Sequence, residues 1–268
     1  MVADDALRRH QARRFAVRAV RGRWLALVAY ASSMAYVEAA AVLYLRTIYG
    51  GVDPVGPRHT PFQPLPDFIW IEIGREAATM AMLGTVGWLA GRGLAGRIGA
   101  FAVSMGVWDV LYYVFLWLFT GWPGSLLAPD VLFLIPVPWW GPVVEPALLA
   151  VVMVGAGSAA MAREAGGGLP RPTLGAWLLL LGGAGLCLVA FMADALLALP
   201  RGLEAAYYAR GGAFAWPIYG LGLVLIAVGL VHALISGPLP EAPPRPSSRR
   251  VGLRRLWTGT LELLDLGR

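Results

Sequence analysis

The chain has no lysine, one cysteine and three histidines, and only 14% of its 268 residues are charged. Each scarcity excludes something. A single Cys187 cannot form an internal disulfide, and no His/Cys cluster has zinc-ligand spacing. Of His10, His59 and His232, only His232 lies in an apolar run, which excludes a bis-histidine haem site within the chain. No Gly-x-x-x-x-Gly-Lys-Ser/Thr loop is present, so this is not a P-loop NTPase, and no Gly-x-Ser-x-Gly nucleophile elbow occurs. The net charge of +6 does not point to nucleic acid, because the 22 basic residues are all arginines gathered in the tails and short connections. A soluble domain carries roughly 25% charged residues. Here 58% of residues are hydrophobic, in long runs along nearly the whole length, and this predicts an all-α, polytopic membrane helical bundle.

Six spans can be drawn: Trp24 to Leu45, Asp67 to Ala90, Ile98 to Thr120, a fourth region from Asp130 to Ala162, Thr173 to Leu199, and Phe214 to Ser236. The first apolar run is too long for the core of a cleaved signal peptide, which is roughly 7–15 residues. Residues 1–23 read as a basic cytoplasmic arm, 24–236 as a six-span membrane domain, and 237–268 as a proline-rich linker and tail. In that tail Leu253, Leu256, Trp257, Thr260, Leu261 and Leu264 recur at helical spacing beside Arg249, Arg250, Arg254 and Arg255, the pattern of an amphipathic helix on an anionic leaflet. Seventeen arginines fall in the N-terminal arm, the second and fourth connections and the C-terminal tail, against Arg46, Arg58, Arg201 and Arg210 in the others. The positive-inside rule then places both termini in the cytoplasm.

Six carboxylates lie within these apolar regions: Glu38, Glu72, Glu76, Asp109, Glu145 and Asp194. Arg75 is the one basic residue among them. An ionised side chain at mid-bilayer costs roughly 2.5–3.5 kcal/mol, so such groups need partners, protons or a bound cation. At 1.5 Å per residue, Glu38 lies roughly 10 Å, Glu72 roughly 8 Å, Glu76 roughly 14 Å and Asp109 roughly 16 Å below the outer boundary. Asp194 lies about 8 Å down, and Glu145 follows an outer connection closely. All six therefore fall in the outer half, and a common depth suggests one polar cavity.

Glu72, Glu76 and Thr79 share a helix face, and Arg75 can clamp two carboxylates through its five donors. This is either a Glu–Arg–Glu lock that fixes helix register or a site that holds a proton or cation. Tyr112 and Tyr113 follow Asp109 by three and four residues, within reach of its carboxylate. Trp117 and Trp122 read as members of an interfacial aromatic belt. Gly87 and Gly91 have the small-residue spacing of a helix contact.

The stretch from Gly121 to Glu145 holds Pro123, Pro129, Pro136, Pro138 and Pro142, with Pro146 next. Proline breaks helices, so a short helix capped by Asp130, a break over Pro136 to Pro142 and a full span from Val143 to Ala162 are expected. Such a broken or re-entrant segment is tolerated at membrane depth only where it is buried in protein or lines a cavity. Trp139 and Trp140 are then interface anchors or cavity walls.

The string Ile71-Glu72-Ile73-Gly74-Arg75-Glu76-Ala77-Ala78-Thr79, the Trp108-Asp109-x-x-Tyr112-Tyr113 motif and the Gly121-Trp122-Pro123-x-Ser125-Leu126…Asp130-x-Leu132-Phe133-Leu134-Ile135-Pro136-x-Pro138-Trp139-x-Gly141-Pro142-Val143 run resemble a family of uncharacterised prokaryotic polytopic membrane proteins. The resemblance covers roughly residues 30 to 150 and implies membrane location without implying an activity. An acid at the position of Glu145 departs from that family's pattern.

Carboxylates without histidines suit protons or hard cations such as Mg, Mn or Ca, with Glu38, Glu76 and Asp109 as the candidate ligands. The candidate ligand- or proton-binding set is Glu38, Glu72, Arg75, Glu76, Asp109, Tyr112 and Tyr113. The leading expectation is a protein that binds or transports a cation, a proton-coupled solute or another small molecule. Two other classes stay open: a metal-dependent enzyme acting on a lipid or isoprenoid, and a structural or assembly subunit. Besides the lipid bilayer, a homodimer is a natural partner, because six spans without an internal repeat form a pathway more readily as a pair.

Overall fold

A computed structural model describes residues 2–48, 69–165, 172–207, 209 and 213–235. The amphipathic helix expected in the tail and the Pro/Gly-rich stretch 49–66 lie outside the described residues. The chain is mostly helical: α1 Val2–Ile48, α2 Ile69–Ala90, α3 Leu94–Thr120, α4 Val144–Ala165, α5 Leu174–Ala198, a short α6 Leu203–Tyr207, and α7 Trp216–Ile235. Five of these contain a stretch long and apolar enough to cross a membrane, namely Arg18–Ile48, Leu94–Thr120, Val144–Ala165, Leu174–Arg201 and Trp216–Ala233. These spans are consistent with an integral membrane protein. Their outward faces agree: Leu25, Leu118, Val151, Leu178, Leu181, Leu221 and Val224 are all exposed, a density of bare aliphatic surface that water would not tolerate. At 22 residues α2 is as long as α4 but is not among the five, since its first two turns carry Glu72, Arg75 and Glu76. Helix α1 runs unbroken from Val2 into the first span.

Helix α3 packs against α1, α2 and α4, and α5 against α7. Close approach explains the pairing. A Cβ on Gly183 of α5 would lie 2.6 Å from the Gly222 carbonyl oxygen of α7, so those two backbones touch where neither has a side chain. Gly87 of the predicted Gly87-x-x-x-Gly91 contact does the same for α2, its Cβ position lying 2.7 Å from the Phe101 backbone of α3. Helix α3 ends where Gly121 takes φ 71°, a left-handed cap whose N–H returns to the Trp117 carbonyl at 2.8 Å.

At the opposite end of the bundle, Glu164 of α4 ties three elements together. Its carboxylate accepts the N–H of Arg92 at 3.2 Å and that of Gly93, and lies 3.8 Å from Arg23 Nη1 of α1. Arg23 also donates to the Ala90 carbonyl at 2.6 Å. The acid therefore occupies the N-terminus of α3, where both the free N–H groups and the helix dipole favour a negative charge.

The segment between α3 and α4 corrects the sequence expectation. No short helix follows Asp130. Instead β1 Pro129–Phe133 and β2 Trp139–Pro142 form an antiparallel hairpin with Asp130 opposite Gly141 and Val131 opposite Trp140. An apolar run of this length is readable as strand or helix, and the prolines decide. Pro129 and Pro142 face each other at the open end, and Pro136 and Pro138 occupy the tip, so no proline lies in the middle of a ladder. Two further bonds, Val143 N–H to the Ala128 carbonyl at 3.1 Å and Val144 N–H to the Leu126 carbonyl at 2.8 Å, continue the pairing into the start of α4. A two-stranded hairpin is marginal alone. This one is held by packing: Leu134, Val137 and Pro138 are buried, and Trp139 stacks on Phe191 of α5 with ring centroids 6.2 Å apart.

Candidate functional site

The predicted cluster on α2 is assembled. Arg75 donates through Nε at 2.9 Å and Nη2 at 2.8 Å to Glu72 Oε2, a two-pronged pair along one helix face. Its Nη1 meets Glu38 of α1. The other Glu38 oxygen accepts from the Thr79 hydroxyl at 3.3 Å. One guanidinium thus ties two buried carboxylates on two helices, and the i, i+3 spacing of Glu72 and Arg75 makes the bidentate geometry available within α2. Glu76, one turn on from Glu72, faces the hairpin and accepts the Leu134 backbone N–H at 2.8 Å. That N–H lies past the end of β1, where no strand partner is available, and the carboxylate supplies one.

These groups line a pocket with Val42, Leu45, Arg46, Glu72, Arg75, Glu76, Tyr112, Asp130, Val131 and Leu134 around it. Its volume is about 50 Å³ measured to the centres of water-sized spheres, where ~10–15 Å³ holds one water. Walls come from α1, α2, α3 and β1. Two of its residues were read differently from sequence. Arg46 was counted as a marker of topology. It is buried at the end of α1, its guanidinium 4.7 Å from the centroid of the Trp122 ring, and it makes no ion pair within 4.0 Å among the described residues. Glu38, Val42 and Arg46 step four residues apart, and that spacing was the available signal. Asp130 was read as a helix cap. It is a buried strand residue that accepts from the Tyr113 hydroxyl at 3.0 Å.

The tyrosines accordingly divide. Tyr112 lines the pocket, whereas Tyr113 turns to Asp130 rather than to Asp109. Asp109 shares no hydrogen bond or ion pair with the Arg75 cluster, and its Oδ2 is buried without a hydrogen-bond partner. Among the described residues no three His, Cys, Asp or Glu side chains are placed to hold a metal ion. Between Glu38 and Glu72 the bridging cation is Arg75. Trp117 is exposed as a belt residue would be, but Trp122 is not. It is buried in a cluster with Tyr113, Leu116 and Val143 and forms the floor beneath Arg46. Asp194 is half-buried near the end of α5 and does not line the pocket. Glu145 is wholly buried elsewhere, at the start of α4.

Chemically, the pocket presents two guanidinium groups and three carboxylates, with a phenol on one wall. No nucleophile–base pair lies in it. No family model, curated protein or solved structure matches the chain.

Proposed function

We propose that this is a six-span inner-membrane protein that binds a small ligand carrying both a positive and a negative group in the pocket between α1, α2, α3 and the hairpin. The observation that carries this reading is Arg46: a buried guanidinium without an ion pair among the described residues, in a pocket that also holds Glu72, Glu76 and Asp130. A lone cation would be repelled by Arg46 and Arg75, and a lone anion by the carboxylates. A zwitterion satisfies both, with its anionic group on Arg46 and its cationic group toward Glu76 and Asp130. Arg75, already committed to Glu38 and Glu72, positions the acids.

In this reading α2 is the sixth span. Its charges are tolerable because they are paired internally and it packs along α3. The distribution of arginines supports cytoplasmic termini, which puts the pocket and the hairpin in the outer half of the membrane, the hairpin as a re-entrant element. A zwitterionic lipid headgroup and a water-soluble amino-acid-like solute share the required chemistry.

Native mass spectrometry of the protein released from lipid nanodiscs tests this. Wild type should retain an adduct of zwitterionic mass, and Arg46→Gln should lose it, the affinity falling about 10–100-fold as a charge-assisted bond worth ~1.5–3 kcal/mol is removed. Equal retention by both proteins, or none by either, contradicts the reading.

A further inference from the structure

A second ionisable site lies outside the pocket. Glu145 opens α4 and is 0% exposed, and neither of its carboxylate oxygens has a hydrogen-bond partner. Glu145 does not line the pocket. Its surroundings are apolar or weakly polar. Oε2 lies over the bare Cα of Gly141, where a Cβ would come within 2.8 Å of it and within 3.3 Å of Phe191 and Phe214. Phe191, Phe214 and Tyr219 form a contiguous aromatic group, with Trp139 stacked on Phe191. The Tyr219 hydroxyl donates to the backbone carbonyl of Glu145 at 2.6 Å, which anchors the residue but leaves its carboxyl unbonded.

The titratable groups facing this carboxyl from the packed elements are the Cys187 thiol of α5 and the Tyr219 phenol of α7, with the Asp109 carboxyl of α3 reaching Tyr219. No arginine forms an ion pair with it among the described residues. The N-terminus of α4 offers an anion only about 0.3–1 kcal/mol, up to ~2 when partly buried. Sealing an unpaired carboxylate in apolar surroundings costs far more, and such a group takes a proton instead. Gly141 is the second mark of a built site, since a side chain there would crowd Oε2 and make the carboxyl shift.

We infer that Glu145 is a proton-binding site: a carboxylic acid that carries its proton at neutral pH while the aromatic wall of α5 and α7 is closed over it. Releasing the proton requires that wall, or the hairpin strand bearing Gly141, to move and admit water or a cation. The hairpin that supplies Gly141 also supplies Asp130 and Leu134 to the pocket, so one element touches both sites.

Infrared spectroscopy of the full-length protein in nanodiscs at neutral pH tests the inference. The carbonyl stretch of a protonated carboxylic acid should be present in wild type, and Glu145→Gln should lose intensity equal to one group per chain. An unchanged band, or no band in wild type, overturns it. Should Glu145→Gln fail to fold, wild type treated with a hydrophobic carbodiimide serves. The protonated acid adds across the reagent's C=N bond and rearranges to a stable N-acylurea, with nothing lost. Peptide mapping should find this adduct on Glu145, falling several-fold from mildly acidic to alkaline pH. An adduct yield that does not change with pH, or no adduct at any pH, overturns the inference. Both readouts are independent of whether the pocket binds a ligand.

Discussion

Replacing Arg75 by Met removes the one cation that Glu38 and Glu72 share while keeping most of the side chain's apolar volume. Glu38 is 8% exposed and Glu72 5%, so both carboxylates would be left in a poorly solvated place. Breaking a buried pair from one side costs about 3–5 kcal/mol, because the remaining charge has lost its compensation. The Arg75 side chain is itself 26% exposed, so some water reaches the cluster and the lower end, about 3 kcal/mol, is the expectation. The penalty belongs to the orphaned acids rather than to the lost attraction. The triple variant Arg75→Met, Glu38→Gln, Glu72→Gln should therefore recover most of it, since replacing all the charges removes the need for compensation. Reversible unfolding in mixed micelles, followed by tryptophan fluorescence, measures both. The reasoning fails if Arg75→Met unfolds within about 1 kcal/mol of wild type, as an exposed ion pair would, or if the triple variant is less stable than the single one.

Three further outcomes follow from other parts of the molecule. Glu164→Ala leaves the N–H groups of Arg92 and Gly93 without their acceptor and should cost about 2 kcal/mol in the same unfolding assay, with Glu164→Gln costing less than half of that because an amide oxygen still accepts. Gly183→Val forces a side chain into the Gly222 backbone and should destabilise the α5–α7 pair by about 1–3 kcal/mol, read as a lowered melting temperature. Asp130→Ala leaves the buried Tyr113 hydroxyl without its acceptor and should cost about 1–3 kcal/mol in the same unfolding assay, with Asp130→Asn, which can still accept, costing less.

The sequence-level reading and the structure agree where one physical constraint dominates. Apolar length locates most of the helices, as Leu174–Ala198 does for Thr173 to Leu199, whereas α1 reaches back to Val2 and the region from Asp130 becomes a helix only at Val144. The meeting of Glu38 with Glu72 and Arg75 is legible because depth can be counted along helices whose direction the arginine distribution predicts. The hairpin was not, because an apolar run rich in proline shows neither helical nor strand period, and its outcome depends on α3 and α5 offering surfaces to pack on. With the hairpin missed, Asp130 and the Leu134 N–H were missed too, and Tyr113 was assigned to Asp109 by local spacing when a tertiary partner takes its hydroxyl. Arg46 was hidden by its position at a span's end, where topological and functional arginines look alike. Glu145 shows the converse limit: its place in sequence groups it with the other outer-half acids, and only the packing of α5 and α7 reveals it as separately enclosed.

Arg46, which has no ion pair among the described residues, is proposed to be held open for a ligand. A high-resolution experimental map of the protein purified in lipid nanodiscs tests it directly. The account predicts non-protein density bridging the Arg46 guanidinium and the carboxylates of Glu76 and Asp130. A map in which Arg46 turns onto Asp130 or Glu76 and closes the pocket with no density in it would contradict the account.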